Sequence, residues 1–209
     1  MDNFGGTAIS FIPYICKDGT LIDPGRIPFA KSGINPPLEI INLRPGNISQ
    51  NTAIISRGHT NSSGSYQLNI ASDGRLRLSF HDDEQWSSEG VLEAGVWQHV
   101  TLTRDNNLVK GYVNSTEVMA FSNSSDLTSD QSLIFGHENE SSKYFNGEMD
   151  EVRIWSRSLT KEEIESYQYS VLDPIEHPQL VGYWRFEKDS GSLAMDLTGN
   201  DNHGSLLGN

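Results

Sequence analysis

Tyr144-Phe145-Asn146-Gly147-Glu148-Met149-Asp150-Glu151-Val152-Arg153-Ile154-Trp155-Ser156-Arg157-Ser158-Leu159-Thr160 reads as a strand that runs into the start of a helix. Residues 148–155 end in a cluster of β-branched and aromatic side chains, a composition suited to a pleated, half-buried surface. On a strict period of two, Glu148, Asp150, Val152 and Ile154 share one face. Thr160 then opens a helix: Glu163, three residues on, completes a capping box, and Leu159 before the cap can staple to Ile164. About two turns are expected near 160–169. Asp173-Pro174 and His177-Pro178 bracket a polar linker beyond it, because proline discourages helix at the residue before it.

Upstream of this stretch the period is two throughout, from residue 53 onward, in short runs separated by Gly, Asn, Asp and Ser clusters. Tyr66, Leu68 and Ile70 share a face, Ala71-Ser72-Asp73-Gly74 turns the chain, and Leu76, Leu78 and Phe80 answer with Arg75 and Arg77 pointing the other way. A second hairpin is expected from residues 97–103 and 108–113. In it Val100 and Leu102 alternate with Trp97, His99 and Thr101 around the turn Arg104-Asp105-Asn106-Asn107. Residues 51–56, 118–121 and 132–136 add strands. The sum is an all-β fold of two antiparallel sheets with one short helix. A last aromatic strand, Leu180-Val181-Gly182-Tyr183-Trp184-Arg185-Phe186, precedes a Gly/Asn/Asp segment. About thirty residues cannot hold a core of their own, so this tail is expected to pack back on the sandwich. The division is then 1–170 for the main domain and 171–209 for the linker and returning strand.

The chain has 209 residues, 35% of them hydrophobic, with 4 Trp, 8 Phe and 7 Tyr, which is enough for a real core. Fifteen Lys and Arg against 28 Asp and Glu leave a net charge of -13. That field repels phosphate backbones and anionic headgroups, which argues against nucleic acid and against membrane insertion. No long apolar run occurs, and Met1-Asp2-Asn3-Phe4 lacks the charge and hydropathy of a secretory leader, so a soluble chain is expected. Cys16 is alone, which excludes an intrachain disulfide and a thiolate zinc cage and suggests a buried thiol. Five Asn-x-Ser/Thr sequons, at Asn47, Asn61, Asn114, Asn123 and Asn139, indicate loop composition and matter chemically only in a glycosylating pathway.

The stretch 144–164 resembles the laminin-G-like and pentraxin-like jelly rolls, which end a strand with G-x-[IL]-D-[ED]-[VL]-R-[IL]-[WY] and follow it with a short helix. Gly95-Val96-Trp97-Gln98-His99-Val100 resembles the G-x-W-x-H-[VI] strand start of the same family, and Ala53-Ile54-Ile55-Ser56-Arg57-Gly58 its early strand-to-loop step. The tail is similar to the L-V-x-Y-[WY]-x-F and D-x-[ST]-G-N-x-N-H-G segment that often opens such domains, here placed at the C-terminal end. The resemblance implies a concanavalin A-like, two-sheet antiparallel jelly-roll sandwich. Fold alone does not name a ligand.

Pentraxins hold calcium on the loop before the G-x-[IL]-x-[DN]-V strand, and the matching run here is Phe135-Gly136-His137-Glu138-Asn139-Glu140-Ser141. The resemblance thus implies Glu138, Asn139 and Glu140 as calcium ligands, consistent with the ion's demand for six to eight hard oxygens. The partner loop, His59-Thr60-Asn61-Ser62-Ser63-Gly64, departs from the pentraxin pattern in having no carboxylate. A second oxygen-rich run, Asp196-Leu197-Thr198-Gly199-Asn200-Asp201-Asn202, reads either as calcium ligands at Asp196 and Asn200 or as an Asx-turn loop. For a sugar, the needs are an aromatic platform and a ring of amides and carboxylates. Trp86 and Tyr144 are the candidate loop aromatics, with Asp83 and Asn61 as polar partners; Trp97, Trp155 and Trp184 read as core.

These residues point to a carbohydrate-binding, lectin-like module assisted by Ca2+, with a glycan or glycoprotein as partner and an extracellular or cell-surface setting. The rival readings are a protein-interaction or adhesion domain that binds no free glycan and a laminarinase-type glycoside hydrolase. Against the hydrolase, Glu148 and Asp150 have the i, i+2 relation of such enzymes, but Val152 stands where the second glutamate belongs, and Asp150 reads as an acceptor of nearby backbone hydrogen bonds. No enzyme activity is therefore expected. The pentraxin likeness implies a ring-shaped homo-oligomer, for which the sequence encodes no interface.

Overall fold

The computed structural model describes residues 9–11, 39–58, 64–81, 83–88, 90–125, 127, 132–137, 144–186 and 193–205. In chain order the elements are β1 (Ile9–Phe11), β2 (Glu39–Pro45), β3 (Thr52–Arg57), β4 (Tyr66–Ile70), β5 (Leu76–Phe80), β6 (Asp83–Trp86), β7 (Gln98–Asp105), β8 (Leu108–Val113), β9 (Thr116–Ser122), β10 (Leu133–Phe135), β11 (Gly147–Trp155), α1 (Lys161–Tyr167), β12 (Leu180–Trp184), β13 (Leu193–Ala194) and β14 (Gly204–Ser205). One sheet of seven strands runs β1-β11-β2-β7-β8-β9, with β12 also paired to β11; the second runs β10-β3-β4-β5-β6; β13 and β14 form a small ribbon. Every pairing is antiparallel. The two-sheet sandwich expected from the period-two pattern is therefore present.

The inward-facing residues of the two sheets make the main core. Ile55, Leu68, Ile70, Leu76 and Leu78 come from one sheet and Ile41, Leu43, Val100, Leu102, Val109, Met149, Val152 and Ile154 from the other. Each such side chain stabilises the fold by about 1.5–3 kcal/mol through the area it removes from water. Trp184 of β12 joins this core, its ring edge-on to Phe135 at 5.3 Å between centroids. Its ring lies over Gly182, where an added Cβ would come within 2.4 Å of Trp184 Cη2, so only glycine fits two residues before it. Trp97 corrects the expectation of a core residue: it is half-buried at the entry to β7 and carries the Arg44 guanidinium 5.6 Å above its ring. The hairpin β7–β8 is tighter than the sequence suggests, since Arg104 and Asp105 stay in the strand and only Asn106 and Asn107 turn. Asn106 takes φ 52°, which asparagine tolerates better than most side chains.

The alternation in β11 breaks at Glu151. Its φ of 53° and the register shift between Asp150 and Arg153 mark a bulge, supported by Asp150 Oδ1, which accepts the Glu151 N–H at 2.8 Å. The extra residue resets the period. Glu148 and Asp150 therefore do not share a face with Val152 and Ile154, as strict alternation would have it; Met149, Val152 and Ile154 turn into the core instead.

On the far side of the seven-stranded sheet, a second cluster of Tyr112, Trp155, Leu159, Ile164, Leu172, Leu180 and Tyr183 lies against α1. The helix begins as its sequence signals. Thr160 caps it, Glu163 completes the box, and Leu159 and Ile164 share the cluster. Trp155 stacks on Tyr167 at 5.5 Å and 5°. The last turn of α1 holds no basic residue, and the sheet supplies one: Arg153 donates from Nη1 to the Tyr167 carbonyl at 2.8 Å and from Nη2 to that of Ser170. Arg153 is itself held by Glu151, whose carboxylate also accepts from the Tyr183 hydroxyl and, at 2.8 Å, from Arg185 Nε. Burial pushes the Tyr183 hydroxyl up to about 12 and keeps it a donor. Removing one partner of a buried ion pair strands the others. Glu151→Ala should thus cost about 3–5 kcal/mol in chemical denaturation.

His99 lies on the same side of the sheet, buried, with Nδ1 3.3 Å from Thr101 Oγ1. Burial, and then the charge of Arg153, lower its pKa to about 3, so the folded protein holds it neutral. In the unfolded chain it titrates near 6.5. Stability from this group is therefore complete above pH 6.5 and falls as pH drops toward 3, by about 1.4 kcal/mol per unit. His99→Gln should flatten that slope in urea melts between pH 4 and 6.5.

Candidate functional site

The hairpin β4–β5 sends Leu68, Ile70, Leu76 and Leu78 inward and Gln67, Asn69, Arg77 and Ser79 outward. Its register sets Gln67 opposite Ser79 and Asn69 opposite Arg77. Strands lie roughly 4.8 Å apart and same-face residues roughly 7 Å apart along a strand, so these four form a compact quartet. Two rows extend it across the sheet. Ser56 of β3 and Glu84 of β6 continue the row of Gln67 and Ser79; Ala53 and Trp86 continue the row of Asn69 and Arg77.

On this outward face Ser56, Gln67, Asn69 and Ser79 are all buried. Gln67 Oε1, Asn69 Nδ2, Arg77 Nε and Ser79 Oγ lack a hydrogen-bond partner among the described residues. Folded proteins pair nearly all buried polar groups, and each one left alone costs about 1–3 kcal/mol. Four such atoms on adjacent positions of one hairpin face concentrate that cost in a single place.

Trp86 is not a loop residue but the last residue of the edge strand β6, 38% exposed, on the quartet's face. The guanidinium of Arg75 sits 4.5 Å and that of Arg77 5.5 Å from its ring centroid. Each arginine is also paired, Arg75 Nε with Asp73 Oδ2 at 2.7 Å and Arg77 with Glu84. Asp83 stands three residues before Trp86 and so on the other face of β6, opposite Phe80; its carboxylate accepts from Gln85 Nε2 at 3.0 Å. The fold therefore separates these two expected partners. Tyr144 bridges to His137 and stacks on its ring at 4.4 Å and 17°. The His137 carbonyl accepts from Ser56 Oγ at 2.7 Å, tying this pair to the end of the row that Gln67 and Ser79 occupy. Asn61, Glu138, Asn139, Glu140 and Cys16 lie outside the described residues.

Asp196 and Asn200 serve the far edge of β12. Asp196 Oδ1 accepts the N–H groups of Tyr183 and Thr198, each at 3.0 Å, its Oδ2 accepts that of Asn202 at 3.1 Å, and Thr198 Oγ1 donates to the carboxylate at 2.9 Å. The side-chain amides of Asn200 and Asn202 donate to the Val181 carbonyl at 3.2 and 2.7 Å. This loop thus satisfies the edge of β12 with side chains in place of a further strand. Among the described residues no group of three or more His, Cys, Asp or Glu gathers at metal-binding distance. No helix there is long and apolar enough to cross a membrane.

A family model of the laminin G type, described as concanavalin A-like lectin/glucanases superfamily, matches residues 43–165. The chain belongs to this superfamily. Among solved structures it is similar to a Bacteroides ovatus protein proposed to bind carbohydrate, at TM-score 0.69 and 19% identity, over 86% of this chain and 53% of the other. It is also similar to the Ruminococcus gnavus IT-sialidase CBM40 bound to α2,3 sialyllactose, at 0.57 and 14%, over 78% and 95%. Domain 4 of AbnA, an extracellular GH43 arabinanase of Geobacillus stearothermophilus in complex with arabinotriose, matches at 0.54 and 18%, over 66% and 69%. At these identities the likeness establishes fold. The chain spans about half the length of the B. ovatus protein. Comparison with curated proteins finds no match.

Sequence reasoning placed Arg77 on the outer face but passed over Gln67, Asn69 and Ser79, although the same alternation assigns them there. Their burial was the missing signal. Asp196→Ala should lower stability by about 2–3 kcal/mol through its lost acceptors. The thermal unfolding shift should be the same with and without chelator if those protein donors are the whole of its role.

Proposed function

We propose that the chain is a non-catalytic carbohydrate-binding module whose glycan lies on the outer face of the five-stranded sheet. The quartet of buried, unpartnered polar atoms on β4 and β5 carries this reading, because sugar hydroxyls both donate and accept and would meet each of them. Trp86 at the end of the same face gives it an apolar wall, and the carbohydrate-binding proteins of the same fold support the choice of ligand class. Glu148 is engaged by Arg44 and Asp150 by the Glu151 N–H, which favours binding over hydrolysis at this carboxylate pair. Calcium on Glu138, Asn139 and Glu140, which follow His137 in sequence, and an extracellular or cell-surface setting belong to the same proposal.

A glycan array read in millimolar calcium and in chelator tests it. Binding is expected, and Gln67→Ala should weaken it about tenfold, the worth of one buried hydrogen bond. Dependence of that binding on calcium would tie the 138–140 loop to the ligand; equal binding in chelator would remove calcium from the reading. A blank array in both conditions would overturn glycan binding in favour of a protein-interaction domain.

A further inference from the structure

We infer that the sugar recognised on this face is a sugar acid, bound through its carboxylate by Asn69 and Arg77. The inference rests on the glycan-binding reading above and concerns which glycans satisfy it. The unmet capacity of the quartet is unequal: Asn69 Nδ2 and Arg77 Nε can only donate, Ser79 Oγ can donate or accept, and only Gln67 Oε1 is restricted to accepting. The two obligate donors face each other across β4 and β5, and one belongs to a cation. A pair of N–H groups at adjacent strand positions suits the paired oxygens of one carboxylate, and charge-assisted hydrogen bonds of that kind are the stronger class. Arg77 already gives Nη2 to Glu84, which fixes the guanidinium plane and leaves Nε as the free donor.

Gln67 and Ser79 stand one row away, roughly 7 Å along the strands. That is the reach from a ring carboxylate to hydroxyls across a pyranose, and it supplies Gln67 Oε1 with an O–H donor. The side chain of Arg77, 22% exposed, and Trp86 are the partly open members of the face and give the ligand its way in. The protein's own charge limits the choice further. With a net charge of -13 and with Glu84 and Asp73 beside the two arginines, the surroundings oppose a densely charged polyanion but leave a single carboxylate, met at contact distance, its two donors. The ligand class is therefore an oligosaccharide with an isolated or terminal acidic sugar.

The test is a glycan array that spans neutral, singly acidic and polyanionic glycans, followed by calorimetry with the best acidic ligand, its methyl ester and its neutral core. Singly acidic glycans should bind, and the ester should bind at least about tenfold more weakly. Asn69→Leu and Gln67→Met, close in shape to the residues they replace, should weaken binding while melting temperatures stay level or rise, because each removes an unpartnered polar atom. Lower melting temperatures with binding retained would show a structural role and overturn the inference. Equal affinity for ester and acid, or a preference for neutral glycans, would overturn it while leaving glycan binding intact. A blank array would overturn both.

Discussion

The carboxylate of Glu151 ties three layers of this protein together. It sits at a bulge in β11 and gathers Arg153, Arg185 and Tyr183 on the far side of the seven-stranded sheet. Without the bulge, Glu151 would follow the pleat toward the hydrophobic core, where its charge has no counterion. With it, the chain inserts one residue, keeps Met149, Val152 and Ile154 inward, and delivers a charge to the side where two arginines wait. Arg153 passes the restraint on to the carbonyls that end α1, while Arg185 and Tyr183 pass it to β12. The helix and the returning tail are thus anchored to one point of one strand. The left-handed backbone at Glu151 is strained for a side chain of its kind, and the neighbouring Asp150 offsets this by accepting its N–H.

How much of this could be read from residues depends on whether the signal was local. The two hairpins, the capping box and the core face of β4–β5 follow from spacing within a few residues, and they stand in the structure at nearly the same positions. The bulge does not follow, because nothing in Asp150-Glu151-Val152 announces a left-handed residue; besides Arg153 on the same strand, the groups that hold Glu151 are Tyr183 and Arg185, which the fold brings from the tail. Trp86 reads as a loop residue because polar neighbours fill 82–85, yet β6 forms by pairing with β5, a requirement the local composition hides. The quartet shows the same limit from the other side. Alternation puts its members outward, yet only Arg77 drew notice, because burial is a property of the assembled face.

The two outer surfaces of the sandwich differ accordingly. The seven-stranded sheet carries α1 on its far side, and Glu151, Arg153 and Tyr183 there are drawn into ion pairs and backbone contacts, while His99 Nε2, Arg153 Nε and Trp155 Nε1 stay unpartnered among the described residues. On the five-stranded sheet, polar atoms of the same kinds remain unanswered within the described chain. The difference lies in arrangement: on the five-stranded sheet the unanswered atoms sit on adjacent positions of one hairpin, β4–β5.

The tail fixes the order in which this sandwich can be completed. β12 and β1 lie on the same edge of β11, both antiparallel to it: Leu180 to Trp184 run beside Trp155 to Val152, and Ile9 to Phe11 follow beside Met149 to Gly147. Two segments from opposite ends of the sequence thus act as one long strand. Trp184 also fills the core between the sheets. During synthesis, then, a ribosome-bound chain that has already made both hairpins still has an open edge on β11 and a gap in its interior until residue 184 emerges. Long-range strand pairing of this kind is slow and leaves apolar surface exposed while it waits. Chaperone contact with the nascent chain should therefore last until β12 has been made, and it is β12, not β1, that fills the interior gap.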